Sequence, residues 1–154
     1  EICRDLYAAG ADLITTGNHV FDQRELVSHI EQDARLIRPL NMLPGTPGRG
    51  SVLLRLTDGR KVLVVQVIGR LFMGAYGDPF GALEGELARH PLGAAADAIV
   101  VDVHAEATSE KMALAHLADG RAYGYTPTTA NGLAAAAIRE RIEVGRTTDR
   151  HLQW

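Results

Sequence analysis

The chain has 154 residues, of which 46% are hydrophobic, and this length is enough for one domain with its own core. No run approaches the roughly 20 apolar residues that cross a bilayer, so no membrane partner is expected. The formal net charge of −3 argues against binding long nucleic acid through a basic field. Cys3 is the one cysteine, so no internal disulfide forms, which suits a reducing cytoplasm.

The first residues predict a helix that ends at Gly10, because glycine favours helix termination. No N-cap residue precedes this helix, and the chain begins with Glu1 rather than methionine. We therefore expect the chain to be an internal piece of a longer parent. The segment ADLITTG then predicts a short strand that ends at Gly17.

A helix is expected over residues 23–32, because Asp22 and Glu25 have the spacing of a capping box. The following segment, RPLNMLPGTPGRG, contains three prolines and three glycines. Such a composition predicts a stiff, irregular loop rather than a linker between domains.

The second half of the chain alternates predicted strands and helices. Asp58-Gly59 predicts a hairpin turn between two strands, and a helix is expected to begin near Pro79. Residues 97–104, DAIVVDVH, are typical of a strand buried on both faces, and Ser109 is a candidate N-cap for the next helix. This alternation predicts an α/β fold with a mixed sheet.

Polar side chains follow two of the predicted strands. Asn18 and His19 come after the first strand, and His104 ends the strand over residues 97–104. If these strands are parallel, the two corners lie on one edge of a sheet, where ligands gather in α/β folds. An amide oxygen and a neutral imidazole are ligands for Zn, Mn or Fe, and Glu106 could orient the ring of His104. A simple turn at Asn18 and His19 and a core role for His104 remain open alternatives.

The same residues lie in motifs of a known family. TGNHVFDQRE resembles the GNH box of calcineurin-like metallophosphoesterases. VDVHAEATSEKMAL resembles the D-x-HAEATSEK segment of their bacterial YmdB-like branch, and this box is long and specific. RPLNMLPGTPGRG and VIGRLFMGAYGDPF stand in the order of that branch, so the resemblance runs from residue 1 to about residue 121.

The resemblance implies a four-layer α/β/β/α sandwich with mixed sheets and two divalent metal ions, typically Fe or Mn, at the sheet edge. It also implies a cytoplasmic protein that hydrolyses phosphodiesters, including 2′,3′-cyclic nucleotides. By position, Asn18 matches the amide metal ligand of the GNH box and His104 matches a metal-binding histidine. His19 matches the histidine that protonates the leaving oxygen or stabilises the charged transition state.

The chain departs from the family pattern at both ends. The family has an early Asp and a Glu-Asn pair upstream, and a downstream Gly-Thr-His-Thr-His, whereas this chain has no histidine between His116 and His151. We therefore expect residues 1–121 to be a metallophosphoesterase domain without its N-terminal strands. Residues 122–154 are expected to be a divergent or frame-shifted tail, and nothing transfers onto Tyr125 or Thr126. A chain with these gaps is expected to bind metal weakly and to hydrolyse little.

The sequence thus predicts a metal-dependent phosphodiesterase acting on a small phosphodiester or cyclic nucleotide, with an incomplete site in this chain. The alternative is an inactive scaffold or regulatory binding module that keeps the fold. A mononuclear zinc hydrolase is disfavoured, because only two histidines lie near predicted strand ends. Arg49 is interpreted as a surface residue rather than a phosphate ligand, and Phe72 and Phe80 as core residues rather than a platform for a base.

Overall fold

A computed structural model of the protein describes residues 2–122 and 124–128. The helices are α1 (Ile2–Ala8), α2 (Arg24–Gln32), α3 (Pro79–Arg89) and α4 (Thr108–Ala118), and the strands are β1 (Ile14–Thr15), β2 (Leu36–Ile37), β3 (Ser51–Arg55), β4 (Lys61–Ile68), β5 (Ala98–His104) and β6 (Gly124–Thr128). A single 3₁₀ turn over Gly17–His19 follows β1 in this described part. No helix of these residues is long and apolar enough to cross a membrane.

The strands form two sheets. The small sheet pairs β1 with β2 in parallel, and the large sheet has the order β3-β4-β5-β6. Within the large sheet β3 and β4 are antiparallel, whereas β4, β5 and β6 are parallel. The predicted α/β fold with mixed sheets is therefore confirmed, and so is the hairpin, whose turn residue Gly59 has a φ of +89°.

Three hydrophobic clusters show how the layers stack. Helices α3 and α4 cover one face of the large sheet through a cluster that includes Leu83, Leu114, Val65 and Val101. The opposite face of the large sheet meets the small sheet through Leu13, Ile37, Val62 and Val64. The outer face of the small sheet is covered by α1 and α2, with Ile30 and Leu36 buried there. The layer order is α/β/β/α, as the family resemblance implies.

Strand β5 lies at the centre of this arrangement and is buried on both faces, as its composition predicts. Ile99, Val101 and Val103 contact the cluster under α3 and α4, and Ala98 and Val100 contact the cluster between the sheets. Because side chains alternate along a strand, Asp102 and His104 continue the face that looks toward the small sheet. This alternation places His104 at the carboxyl end of β5, between the two sheets.

The predicted cap residues are wrong for two helices. Gln23, not Asp22, is the N-cap of α2, and it makes no side-chain cap bond. Ala107 is the N-cap of α4, so Ser109 lies inside the helix. Asp22 instead contacts the ring of His19, a local contact three positions back in the chain that competes with capping. Only the helix near Pro79 starts as predicted, where the Asp78 carboxylate accepts from two backbone N–H groups.

The segment after β2 is irregular, as predicted, and one side chain organises it. The guanidinium of Arg38 donates to the carbonyl oxygens of Pro39, Thr46 and Pro47 at 2.8, 3.1 and 3.2 Å. Burial lowers the pKa of Arg38, although the carbonyl oxygens satisfy its donors. Strand β2 itself has no equivalent in the sequence prediction.

The two phenylalanines considered for the core differ in the structure. Phe80 packs against the cluster under α3 and α4, as predicted. Phe72 is 89% exposed, so the prediction that it belongs to the core is wrong. It lies in the loop after β4 with a φ of +62°, which is uncommon for a residue other than glycine. The Ala-rich segment LAAAAIRERIEVG near the end of the chain predicts an ordinary helix, and it lies outside the described residues, whereas β6 lies within residues 122–154.

Candidate functional site

The site begins with a tight turn after β1. Gly17 has a φ of +76°, which glycine adopts without steric cost. The ring of His104 lies against its Cα, because a Cβ built on Gly17 would be 2.8 Å from Cε1 of that ring. Glycine at this position therefore allows the turn to approach the end of β5.

The buried side-chain amide of Gln66 holds the same turn in place. Oε1 of Gln66, in β4, accepts hydrogen bonds from the backbone N–H groups of Thr16 and Gly17 at 3.3 and 3.2 Å. Nε2 of Gln66 donates to Oδ2 of Asp102 at 2.8 Å. The turn of the small sheet is thus joined by hydrogen bonds to two neighbouring strands of the large sheet.

The structure brings Asn18 and His104 together although they are 86 positions apart. Oδ1 of Asn18 lies 2.8 Å from Nε2 of His104. The two corners do not lie on one edge of a single sheet, since β1 and β5 belong to different sheets. They meet because the two sheets are stacked, with the turn after β1 facing the carboxyl end of β5.

The environment of His104 favours its neutral form. The residue is 4% exposed, and burial lowers the pKa of its imidazole. The carboxylates of Asp102 and Glu106 oppose this shift, because negative charge favours the protonated ring. Neutral imidazole is the form that can bind a metal ion. Glu106 is exposed and acts on the ring through its charge.

His19 lies on the other side of Asn18 and is exposed to solvent. Its Nδ1 is 2.8 Å from Oδ2 of Asp22, and its Nε2 is 3.3 Å from Nδ2 of Asn18. The amide of Asn18 can only donate through Nδ2, so Nε2 of His19 accepts and Nδ1 carries the proton in this arrangement. Asp22 therefore fixes the ring orientation and leaves Nε2 facing the site.

The described residues fit part of a metal site. The Oδ1 of Asn18 and the Nε2 of His104 are neutral donors at the spacing of neighbouring ligands on one cation. Within residues 2–122 and 124–128, no group of three or more His, Cys, Asp or Glu side chains could hold a metal ion. Asn18 and His104 accordingly offer two neutral donors, not a complete ligand set, within this described part.

Sequence reasoning missed the residues that support these ligands. Gln66 reads as a polar interruption of an apolar strand, and Asp102 as part of the buried strand next to it. Asp102 stands two positions before His104 and is the Asp of the D-x-H motif, so the spacing and the motif are the available signals that both residues share one face. Arg49 is exposed, as predicted, and its carbonyl oxygen accepts from the backbone N–H of Arg38.

The fold and these residues agree with the metallophosphoesterase class that the motifs indicate. A family model described as YmdB-like protein matches residues 1–131. The chain therefore belongs to the YmdB-like protein family. The match extends past residue 121 and includes β6.

Several known proteins are similar to this chain. A 2′,3′-cyclic-nucleotide 2′-phosphodiesterase of Bacillus subtilis is 39% identical over 126 residues, which cover 79% of this chain and 45% of that protein. A hypothetical protein from Thermus thermophilus has a solved structure with a TM-score of 0.75 and 48% identity, covering 82% of this chain and 48% of that one. The structure of a novel phosphatase from Mycoplasma pneumoniae has a TM-score of 0.70 and 27% identity, covering 80% and 46%. The chain thus spans about half the length of the relatives that it matches.

Proposed function

We propose that this chain is the metal-binding and leaving-group portion of a phosphodiesterase for small phosphodiesters, with 2′,3′-cyclic nucleotides as the substrate class. The observation that carries the proposal is the convergence of Asn18 and His104 where the turn after β1 meets the end of β5, with the exposed His19 beside Asn18. The substrate class is supported by the similarity to a protein named 2′,3′-cyclic-nucleotide 2′-phosphodiesterase.

On this proposal Asn18 and His104 hold divalent cations, two in the complete site, with Fe or Mn as the expected metals. The donors are neutral, so they bind a cation without cancelling the charge that attracts a phosphate. Such ions act as Lewis acids and stabilise the charge that develops on a phosphoryl group. Carboxylate ligands that would complete the set are not gathered among the described residues.

His19 acts beside the metals rather than as a ligand. Its exposed ring faces the site through Nε2, and the carboxylate of Asp22 accepts a hydrogen bond from the Nδ1–H group. A protonated ring would donate from Nε2 to the departing oxygen, and Asp22 would stabilise the positive ring during that step. This assigns His19 to leaving-group protonation and Asp22 to the orientation of His19.

The test is hydrolysis of 2′,3′-cyclic AMP and of bis-p-nitrophenyl phosphate by the full chain with added Mn²⁺ or Fe²⁺. We expect metal-dependent turnover, small in this chain, and a roughly 100-fold or greater fall in the turnover of 2′,3′-cyclic AMP in His19→Ala, the range for loss of a general acid. Turnover of bis-p-nitrophenyl phosphate should fall less, because p-nitrophenolate is a stable anion that leaves without protonation. His29→Ala is the matched control, because His29 is also exposed and lies 3.5 Å from an aspartate, Asp33. It should keep the turnover of the parent chain.

Turnover that needs no metal and is unchanged in His19→Ala and His104→Ala would contradict the proposal. Metal binding without turnover would favour the alternative, an inactive scaffold or regulatory module. We further propose that residues 1–121 form the metallophosphoesterase domain without its N-terminal strands, that residues 122–154 are a divergent or frame-shifted tail, and that the protein works in the cytoplasm.

A further inference from the structure

We propose that Gln66 and Asp102 are a positioning pair that fixes Asn18 against His104 and thereby sets the affinity of the site for a divalent cation. The inference rests on the proposed function, because it concerns the metal ligands assigned there. Neither residue reaches the reacting atoms, so both act through the turn and the strand that carry the ligands.

The pair is buried in the middle of the large sheet. Gln66 is 2% exposed and Asp102 is 4% exposed, and the two are register partners on β4 and β5. Polar side chains at such positions are costly unless hydrogen bonds satisfy them. Here the Gln66 amide uses both of its ends, donating to Asp102 and accepting from the turn.

One end of the Gln66 side chain bonds within the large sheet, to Asp102, and the other end bonds outside it. The backbone of Gln66 bonds elsewhere, since its N–H donates to the carbonyl of Gly50 and its carbonyl accepts from Leu40. Its side chain instead reaches across to the small sheet and holds the N–H groups of Thr16 and Gly17. The next residue after Gly17 is the ligand Asn18, so the position of its amide depends on this link.

Asp102 connects the same link to the second ligand. It precedes His104 by two positions and shares its face of β5, because side chains alternate along a strand. One chain of hydrogen bonds therefore runs from β5 through Asp102 and Gln66 to the turn that carries Asn18. On this inference, these hydrogen bonds hold the turn after β1 against the end of β5 and thereby set the 2.8 Å separation between Oδ1 of Asn18 and Nε2 of His104.

The experiment is a Mn²⁺ titration of the full chain, read by the electron paramagnetic resonance signal of the free ion. Gln66→Met keeps the length of the side chain and removes all three of its hydrogen bonds. We expect its affinity for Mn²⁺ to fall roughly 10- to 100-fold, the usual effect of losing a partner that orients ligands. Ser51→Ala is the control, because it removes a hydrogen bond to Glu86 elsewhere in the same sheet. It should leave Mn²⁺ affinity unchanged.

A charge-conserving exchange of the two side chains keeps the inference testable if Gln66→Met fails to fold. In Gln66→Glu two carboxylates face each other, so Mn²⁺ affinity should fall. Combining Gln66→Glu with Asp102→Asn swaps the amide and the carboxylate between the two strands. The carboxylate on β4 then still accepts from the turn, and the amide on β5 donates to it, so most of the affinity should return. A purely structural role would change stability in these variants without changing Mn²⁺ affinity.

The outcomes separate this inference from the proposed function. Parent-chain binding of Mn²⁺ that is lost in His104→Ala but unchanged in Gln66→Met and Gln66→Glu would overturn the inference alone. A parent chain that binds Mn²⁺ no better than His104→Ala would overturn both. Loss in the single variants with recovery in the exchange establishes the positioning role.

Discussion

At Gly17 the backbone has a φ of +76°, and the ring of His104 occupies the space where a side chain would begin. Any other residue at this position would therefore destabilise the fold for two separate reasons. The first is the left-handed backbone conformation, which is unfavourable for residues that carry a Cβ. The second is the ring itself, whose displacement would move a proposed metal ligand.

The substitution Gly17→Ala separates these two effects when it is compared with Gly45→Ala. Gly45 has a φ of +82°, but a Cβ there would meet nothing within 4 Å. Gly45→Ala should lower the free energy of unfolding by about 1 kcal/mol through backbone strain alone. Gly17→Ala should lose a further ~1–3 kcal/mol, since the ring must shift. Urea denaturation measures both, and equal losses would show that the ring does not oppose a side chain at Gly17.

Sequence alone identifies some residues of this site and not others. Asn18, His19 and His104 stand out because each is a polar residue at the end of an apolar strand and lies in a family motif. Gln66 and Asp102 lie inside apolar strands, and their roles depend on which strands become neighbours. Local patterns carry no information about that pairing over a separation of 36 positions.

At the scale of elements, the loop between β4 and α3 is attached at several points although much of it is exposed. Both oxygens of the buried Glu110 carboxylate accept from the backbone N–H of Arg70, and one also accepts from that of Leu71. The Asn41 amide donates to the carbonyls of Ile68 and Gly77, one at each end of the loop. This element therefore leaves the carboxyl end of β4, beside His104, in a defined path.

Glu110→Gln tests how much the carboxylate contributes. The variant keeps one acceptor oxygen and turns an NH₂ group toward backbone donors, so a partly buried N–H group loses its partner. We expect the free energy of unfolding to fall by about 1–3 kcal/mol. Glu84→Gln makes the same chemical change at a side chain that is 63% exposed, and it should cost less than about 0.5 kcal/mol. Chemical denaturation of both variants is the measurement, and equal small losses would contradict the anchoring role.

Elements with strong local signals are predictable, and those defined by tertiary contacts are not. The hairpin at Gly59, the helix after Asp78 and strand β5 all follow from turn chemistry, capping or a continuous apolar run. Strand β2 has two residues and becomes a strand only through its pairing with β1. The capping-box spacing misplaces the start of α2, because Asp22 bonds to His19 instead of capping the helix.

For the whole molecule, the buried apolar residues are unevenly divided between the two sheets. Strands β4 and β5 contribute side chains to the clusters on both faces of the large sheet. The small sheet consists of two strands of two residues each. Stability should therefore be highest in the two central strands of the large sheet and lower in β1 and β2.

Native-state hydrogen exchange should reveal this difference. Backbone amides of β4 and β5 are expected to exchange slowest, at roughly the rate of global unfolding. Those of β1 and β2 should exchange roughly tenfold or more faster, through local opening of the small sheet. Protection measured residue by residue by NMR tests this. Equal protection in both sheets would mean that the molecule opens as a single unit.

The overall four-layer arrangement became predictable only through the family motifs. Composition and periodicity indicate an α/β fold with a mixed sheet, but they do not say that the strands divide into two stacked sheets. That division is what brings the turn after β1 to the end of β5. The amino acids that decide it are the apolar residues shared between sheets, such as Leu13 and Val64, which look like any other strand residues.

Strand β5 also limits how this chain can change in length over evolution. Its residues alternate between the cluster under the helices and the gap between the sheets. Inserting or deleting one residue between Ile99 and Val103 would reverse this alternation and turn the His104 ring into the apolar cluster. Many substitutions that preserve volume would be tolerated along the same stretch. Related sequences should therefore differ here in composition while keeping the number of residues fixed.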